Sequence, residues 1–162
     1  MSPAEVARGA GLGLVGGLVA SGAMSIAHRI ANDLTPKAAV PSTPQEVDPT
    51  IKVASAVTRG AGYDLTEKQK RVAGSIVHYA FGASVGALYG ALAPMVPRVT
   101  WAVGLPFGLA VWLGAHVVTL PALGLADPPT RRPIRQEAAE FGLHGVYGVA
   151  TELVRRVLLR LI

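Results

Sequence analysis

Four apolar segments, each about 20 residues long, divide this chain, and that length limits what it can fold into. They run over residues 6–31, 71–93, 99–121 and 138–159. At a helical rise of about 1.5 Å per residue, some 20 residues cross the roughly 30 Å hydrocarbon core of a bilayer. Inside lipid every main-chain polar group must be satisfied internally, which a helix does without a partner strand. The segments therefore predict an all-α polytopic membrane protein. Its four transmembrane helices would form an antiparallel bundle, a single membrane domain over residues 1–162. Composition agrees: the 162 residues are 51% hydrophobic and 15% charged, with a mean hydropathy of +0.42. A soluble domain carries about a quarter charged residues. The 19 glycines also fit, because glycine lets membrane helices approach closely.

The connections are unequal. Pro94-Met95-Val96-Pro97-Arg98 makes a tight hairpin between the second and third segments. The first loop, residues 32–70, is long. Pro36, Pro41, Pro44 and Pro49 prevent it from being one continuous helix. Asp48-Pro49 reads as an N-cap with proline at the first helical position. From there Ile51, Ala54 and Val57 share one face of a short amphipathic helix ended by Gly60 and Gly62. Such a helix suits the membrane interface or the side of the bundle. Thr66-Glu67-Lys68-Gln69 is a capping-box pattern that would open the second span. Near the N-terminus, Ala20-Ser21-Gly22-Ala23 imitates a signal-peptide cleavage site. The apolar run is longer than a signal core, so it reads as a retained first helix.

Lysine and arginine counts predict orientation. Arg29, Lys37, Lys52, Arg59, Lys68, Lys70, Arg71, Arg131, Arg132 and Arg135 flank the loops 32–70 and 122–137, ten in all. The other side carries five: Arg8, Arg98, Arg155, Arg156 and Arg160. The positive-inside rule then puts both loops in the cytoplasm and both termini outside. The net charge of +5 does not point to nucleic acid, since the basic residues sit in loops and at helix ends.

Four histidines, His28, His78, His116 and His144, fall one to each segment. With alternating spans, all four sit very roughly 5–10 Å below one membrane face. Three continue a stripe at i, i+4 spacing that is rich in small residues: Gly74 and Gly82 about His78, Gly104 and Gly108 above His116, Gly148 after His144; His28 follows Gly17, Ser21 and Ser25. That spacing turns all four inward. Ionisable groups within spans face the bundle interior and mark functional sites. Three readings stay open: structural hydrogen bonding, a haem b or transition metal held by two or more imidazoles, and a proton-responsive site with Glu140 as proton partner. Glu137 is expected at the interface, and Glu152 beside Arg155 or Arg156.

Absences narrow the chemistry. The chain has no cysteine, which removes disulfides, thiolate metal sites and cysteine nucleophiles. No H-E-x-x-H, G-x-S-x-G, G-x-x-x-x-G-K-[ST] or G-x-G-x-x-G pattern occurs. A non-enzymatic protein is expected, an accessory or stabilising subunit of a larger membrane assembly. Beyond the lipid bilayer, its partners would be membrane proteins or further copies meeting glycine-rich faces. A small proton- or ion-linked transporter or sensor is the third reading, with Pro106 interrupting the third segment.

From His78 onward the chain resembles the YagU family of small bacterial inner-membrane proteins. The likeness is carried by His78, Tyr89-Gly90, the Pro97 hairpin, Trp101, Gly104, Gly108, Ala115-His116 and Pro121-Ala122-Leu123-Gly124-Leu125. It continues through Pro128-Pro129, Pro133, Glu137, Glu140-Phe141-Gly142-Leu143-His144, Tyr147 and Glu152-Leu153-Val154-Arg155-Arg156. The resemblance implies a bacterial inner-membrane location and a multi-helix bundle. It implies no activity, substrate or site residue.

Overall fold

The computed structural model describes residues 2–34 and 47–161, and among these every regular element is helical. Three long helices dominate: α1 (Pro3–Leu34), α3 (Glu67–Leu92) and α6 (Ile134–Leu161). Between them lie α2 (Pro49–Gly60), α4 (Leu105–Trp112) and α5 (Leu120–Ala122). Among the described residues, three helical stretches are long and apolar enough to cross a membrane: Pro3–Leu34, Glu67–Leu92 and Pro97–Ala122. The prolines Pro36, Pro41 and Pro44 lie outside the described residues.

Local signals in the loop act as their chemistry dictates. The Asp48 carboxylate accepts from the Thr50 main-chain N–H at 2.8 Å, and Pro49 opens α2. Thr66 and Gln69 close a reciprocal capping box at the start of α3. The α2 helix lies along α3, with Ala54 buried. A Cβ on Gly74 would come within 2.7 Å of Ile51 Cγ1, so this glycine lets α2 settle on α3.

The bundle is built on α1, whose most extensive contacts are with α3 and then α6. Gly9, Gly13 and Gly17 of α1 meet Gly82, Gly86 and Gly90 of α3. A Cβ on Gly90 would fall 2.8 Å from Gly13 Cα, and one on Gly86 would fall 2.8 Å from Gly17 Cα. Here main chain rests on main chain. On the other side of the bundle Gly108 and Gly148 bring α4 equally close to α6.

The third apolar segment is not one continuous helix. A 3-10 stretch over Pro97–Gly104 turns through left-handed residues, Ala102 (φ 45), Val103 (φ 56) and Gly104 (φ 80). Two non-glycine residues there, one β-branched, are held against their preference. Gly104 allows the turn and fits against Gly148 and Glu152 Cβ, where any side chain would collide. The break thus falls before Pro106, which lies in the first turn of α4 and helps to start it. After α4 the helix widens into a π-helical stretch, Leu113–Thr119, before α5.

Alongside buried apolar residues such as Leu12, Ala20, Leu143 and Tyr147, several polar side chains are buried and many large apolar ones lie outside. Ser21, Glu137, His144, Thr151 and Glu152 are buried, while Val19, Ile26, Ile76, Phe81, Leu88 and Val157 lie exposed on the outside. An apolar exterior of this extent needs a membrane or a partner to cover it.

Candidate functional site

The inward face of α6 is polar along much of its length. Glu137, Glu140, His144, Tyr147 and Thr151 follow one another at alternating spacings of three and four. That spacing keeps a single seam of a helix facing its neighbours. Their neighbours divide the seam into two clusters.

The first cluster lies towards the start of α6. Glu140 and His144, one turn apart, face His116, which the π-helical stretch brings across from the α4 side. Ligand-capable atoms of these three side chains all lie within 4.8 Å of one another. The His116 and His144 rings meet edge to face, with centroids 4.9 Å apart and planes at 77°. His144 Nδ1 lies 2.8 Å from the Glu140 main-chain oxygen, so it carries the proton and donates. This leaves the Nε2 lone pair of His144 free. Next to the trio, Arg132 and Glu137 form a buried ion pair at 3.1 Å. Buried side-chain atoms with no hydrogen-bond partner include Trp112 Nε1, His116 Nδ1 and Glu137 Oε2.

The second cluster lies near the other end of α6, around the fully buried Glu152. Its carboxylate accepts from Arg155 Nε (2.7 Å) and Nη2 (2.9 Å), Arg156 Nε (2.6 Å) and the Tyr89 hydroxyl (2.7 Å). Arg156 also reaches the Thr100 carbonyl at 3.1 Å, tying the 3-10 stretch to α6. Tyr89 stacks on Phe107, their centroids 4.2 Å apart. Between the clusters, the Tyr147 hydroxyl donates to the Gly82 carbonyl of α3 at 2.6 Å. Every polar atom of Glu152 is satisfied, so this cluster reads as structural.

Of the four histidines placed by sequence in one layer, the structure joins two, His116 and His144, with Glu140. His78 is half-buried and hydrogen-bonds the Ser21 carbonyl of α1 through Nε2 at 3.3 Å. His28 is exposed, contrary to the inward orientation predicted for it. The buried positions of α1 stop at Ser21, so His28 extends past the contact with α3 and α6. The His144 Nδ1 hydrogen bond goes to the Glu140 main-chain oxygen, while the Glu140 carboxylate lies within 4.8 Å of the imidazole ligand atoms. Glu137 is buried and ion-paired with Arg132. Sequence reasoning missed Arg132 and Tyr89 as partners of the two buried glutamates. The alternating spacing of polar residues on α6 is the signal that could have shown the seam.

Chemically, two imidazoles and a carboxylate form a donor set for a transition-metal ion. Rings in edge contact leave no room for a porphyrin between them, so the arrangement does not suit haem b.

No curated protein and no solved structure matches the chain. Residues 15–153 match a family described as a protein of unknown function, DUF1440. That match takes in most of α1 as well as the region carrying the resemblance to small membrane proteins. With most of its length covered, the chain belongs to the DUF1440 family.

Proposed function

We propose that the chain is a four-span integral protein of the bacterial inner membrane, with α6 as the fourth span. In this reading it has no catalytic chemistry of its own and serves as an accessory or stabilising subunit of a membrane assembly. The observation that carries the membrane reading is the division of α6 into two faces. Its 28 residues cover about 42 Å, enough to span. Outward lie Phe141, Val146, Leu153 and Val157, all exposed and apolar. Inward lie Glu137 and Glu152, each paired with arginine, and Glu140 beside the His116 and His144 imidazoles. Charges paired inside a bundle are the form in which a membrane tolerates them. The ten-to-five bias of Lys and Arg supports a topology in which loops 32–70 and 122–137 face the cytoplasm.

Two features support the accessory role. No nucleophile–base pair appears among the motifs, and the groove between α4 and α6 is shallow and apolar. Leu105, Leu109, Phe141, Val149 and Leu153 line it, with no polar group to orient a substrate.

Single-cysteine labelling tests the topology in a chain with no native cysteine. Gly62→Cys and Asp127→Cys should label from one side of the membrane, and Met95→Cys and Leu161→Cys from the other. Labelling of positions 127 and 161 from the same side would overturn the fourth span. Native mass measurement in mild detergent addresses the assembly: a strict monomer, alone under every condition, would remove the accessory role.

A further inference from the structure

We propose that His116, Glu140 and His144 bind a divalent transition-metal ion between the π-helical stretch and α6. The site is distinct from any role in assembly. Three observations converge on it.

The first is geometry. Glu140 and His144 project from adjacent turns of one helix, the i, i+4 arrangement that places two donors side by side. His116 supplies the third donor from a different element, so the ion would bridge α6 to the π-helical stretch. A tetrahedral ion with bonds of about 2.0–2.1 Å holds its ligands about 3.3 Å apart. The ligand atoms already lie within 4.8 Å of one another, so side-chain rotations of roughly 1.5 Å at most would close the shell. π-Helical stretches are rare and concentrate at functional sites, and His116 occupies the middle of this one.

The second is hydrogen bonding. The proton on His144 Nδ1 is fixed by the Glu140 carbonyl, the outer contact that orients metal-binding imidazoles. His116 Nδ1 is buried with no donor or acceptor beside it. A polar atom in that state is costly unless something satisfies it. Glu137 Oε2, one turn before Glu140 on the same face, is also buried without a partner.

The third is charge. Counted formally, Glu137 and Glu140 bring two negative charges and Arg132 one positive charge. A bound divalent cation would turn a buried excess of −1 into +1, with one carboxylate as its direct counter-ion. The nitrogen-rich set selects the metal class: two imidazoles and one carboxylate suit Zn²⁺, Co²⁺, Ni²⁺ or Fe²⁺. Mg²⁺ and Ca²⁺ prefer oxygen ligands throughout, and the absence of thiolate disfavours Cu⁺.

The test uses the full chain in detergent, stripped with chelator and titrated calorimetrically with Zn²⁺, then with Co²⁺ as a visible chromophore. One ion should bind per chain, with Co²⁺ giving the intense bands of a four- or five-coordinate site. His116→Gln, Glu140→Gln and His144→Ala should each weaken binding by about 100-fold or more. His28→Ala and His78→Ala should leave it unchanged. If His144→Ala does not fold, the other two variants, at half-buried positions, carry the test. Absence of binding would overturn the proposal. So would an affinity indifferent to all three ligand substitutions, or binding abolished by His28→Ala or His78→Ala. None of these results bears on cysteine labelling at positions 127 and 161, so the site and the fourth span stand or fall separately.

Discussion

The α1–α3 contact and the inner seam of α6 hold helices together in opposite ways. Between α1 and α3, Gly9, Gly13 and Gly17 face Gly82, Gly86 and Gly90, and main-chain atoms carry the contact. It owes its stability to close van der Waals approach and weak Cα–H···O contacts. The α6 seam instead buries two glutamates, each paired with arginine, and a histidine bonded to a main-chain carbonyl. The first arrangement fails if anything is added. The second fails if anything is removed.

That contrast yields a ranked set of expected outcomes, each read from denaturation of the full chain in detergent. The largest effect belongs to Glu152→Ala, which leaves Arg155 and Arg156 beside an empty pocket. It should cost about 3–5 kcal/mol, as breaking a buried pair from one side does. A loss below about 1 kcal/mol would mean that the arginines reach water without penalty. Next comes Gly86→Val in the glycine seam. Its side chain would meet the main chain of Gly13 and Gly17, which cannot rotate away. A loss of about 3 kcal/mol is expected from overpacking, and unchanged stability would show that α1 and α3 can part freely. Tyr89→Phe should be milder, about 1.5–2 kcal/mol, because Glu152 loses one donor and keeps both arginines. If it matched Glu152→Ala, the hydroxyl and not the arginines would be holding the carboxylate. Gly142→Ala closes the series. Nothing lies within 4 Å of a Cβ there, so stability should stay within about 0.5 kcal/mol. A larger loss would show that the outer face of α6 is covered in detergent solution.

Much of this architecture can be read from local chemistry. Asp48, Pro49, Thr66 and Gln69 act within one helical turn, so their capping roles needed no knowledge of the fold. Glu140 and His144 share a face by spacing alone, and Glu152 found both arginines three and four residues on. What escaped the sequence depends on distant packing. The left-handed turn at Ala102–Gly104 exists because Gly104 fits under Gly148 and Glu152, whereas Pro106 looked like the interruption and instead opens a helix. His28 lies at a depth that suggested burial, but whether a helix face is covered depends on where its neighbours end. His116 joined His144 only after the helix had widened into a π-helical stretch, which no spacing in the segment announces.

The glycine ladder between α1 and α3 repeats every four residues on both helices, so it is periodic, and a periodic track is ambiguous. Sliding α1 by four residues, about 6 Å, would again lay glycine on glycine over most of the contact. The ladder fixes distance and crossing but does not specify position along the axis. Position must come from contacts that do not repeat. The structure supplies them at one end, where Ser21 fills the place of the next glycine, against Gly82, and its carbonyl meets His78 Nε2. They are joined by Tyr147 on the Gly82 carbonyl and by Gly16 against Thr151. His78 thus acts as the index mark on a sliding scale, a role that requires one hydrogen bond and no ligand.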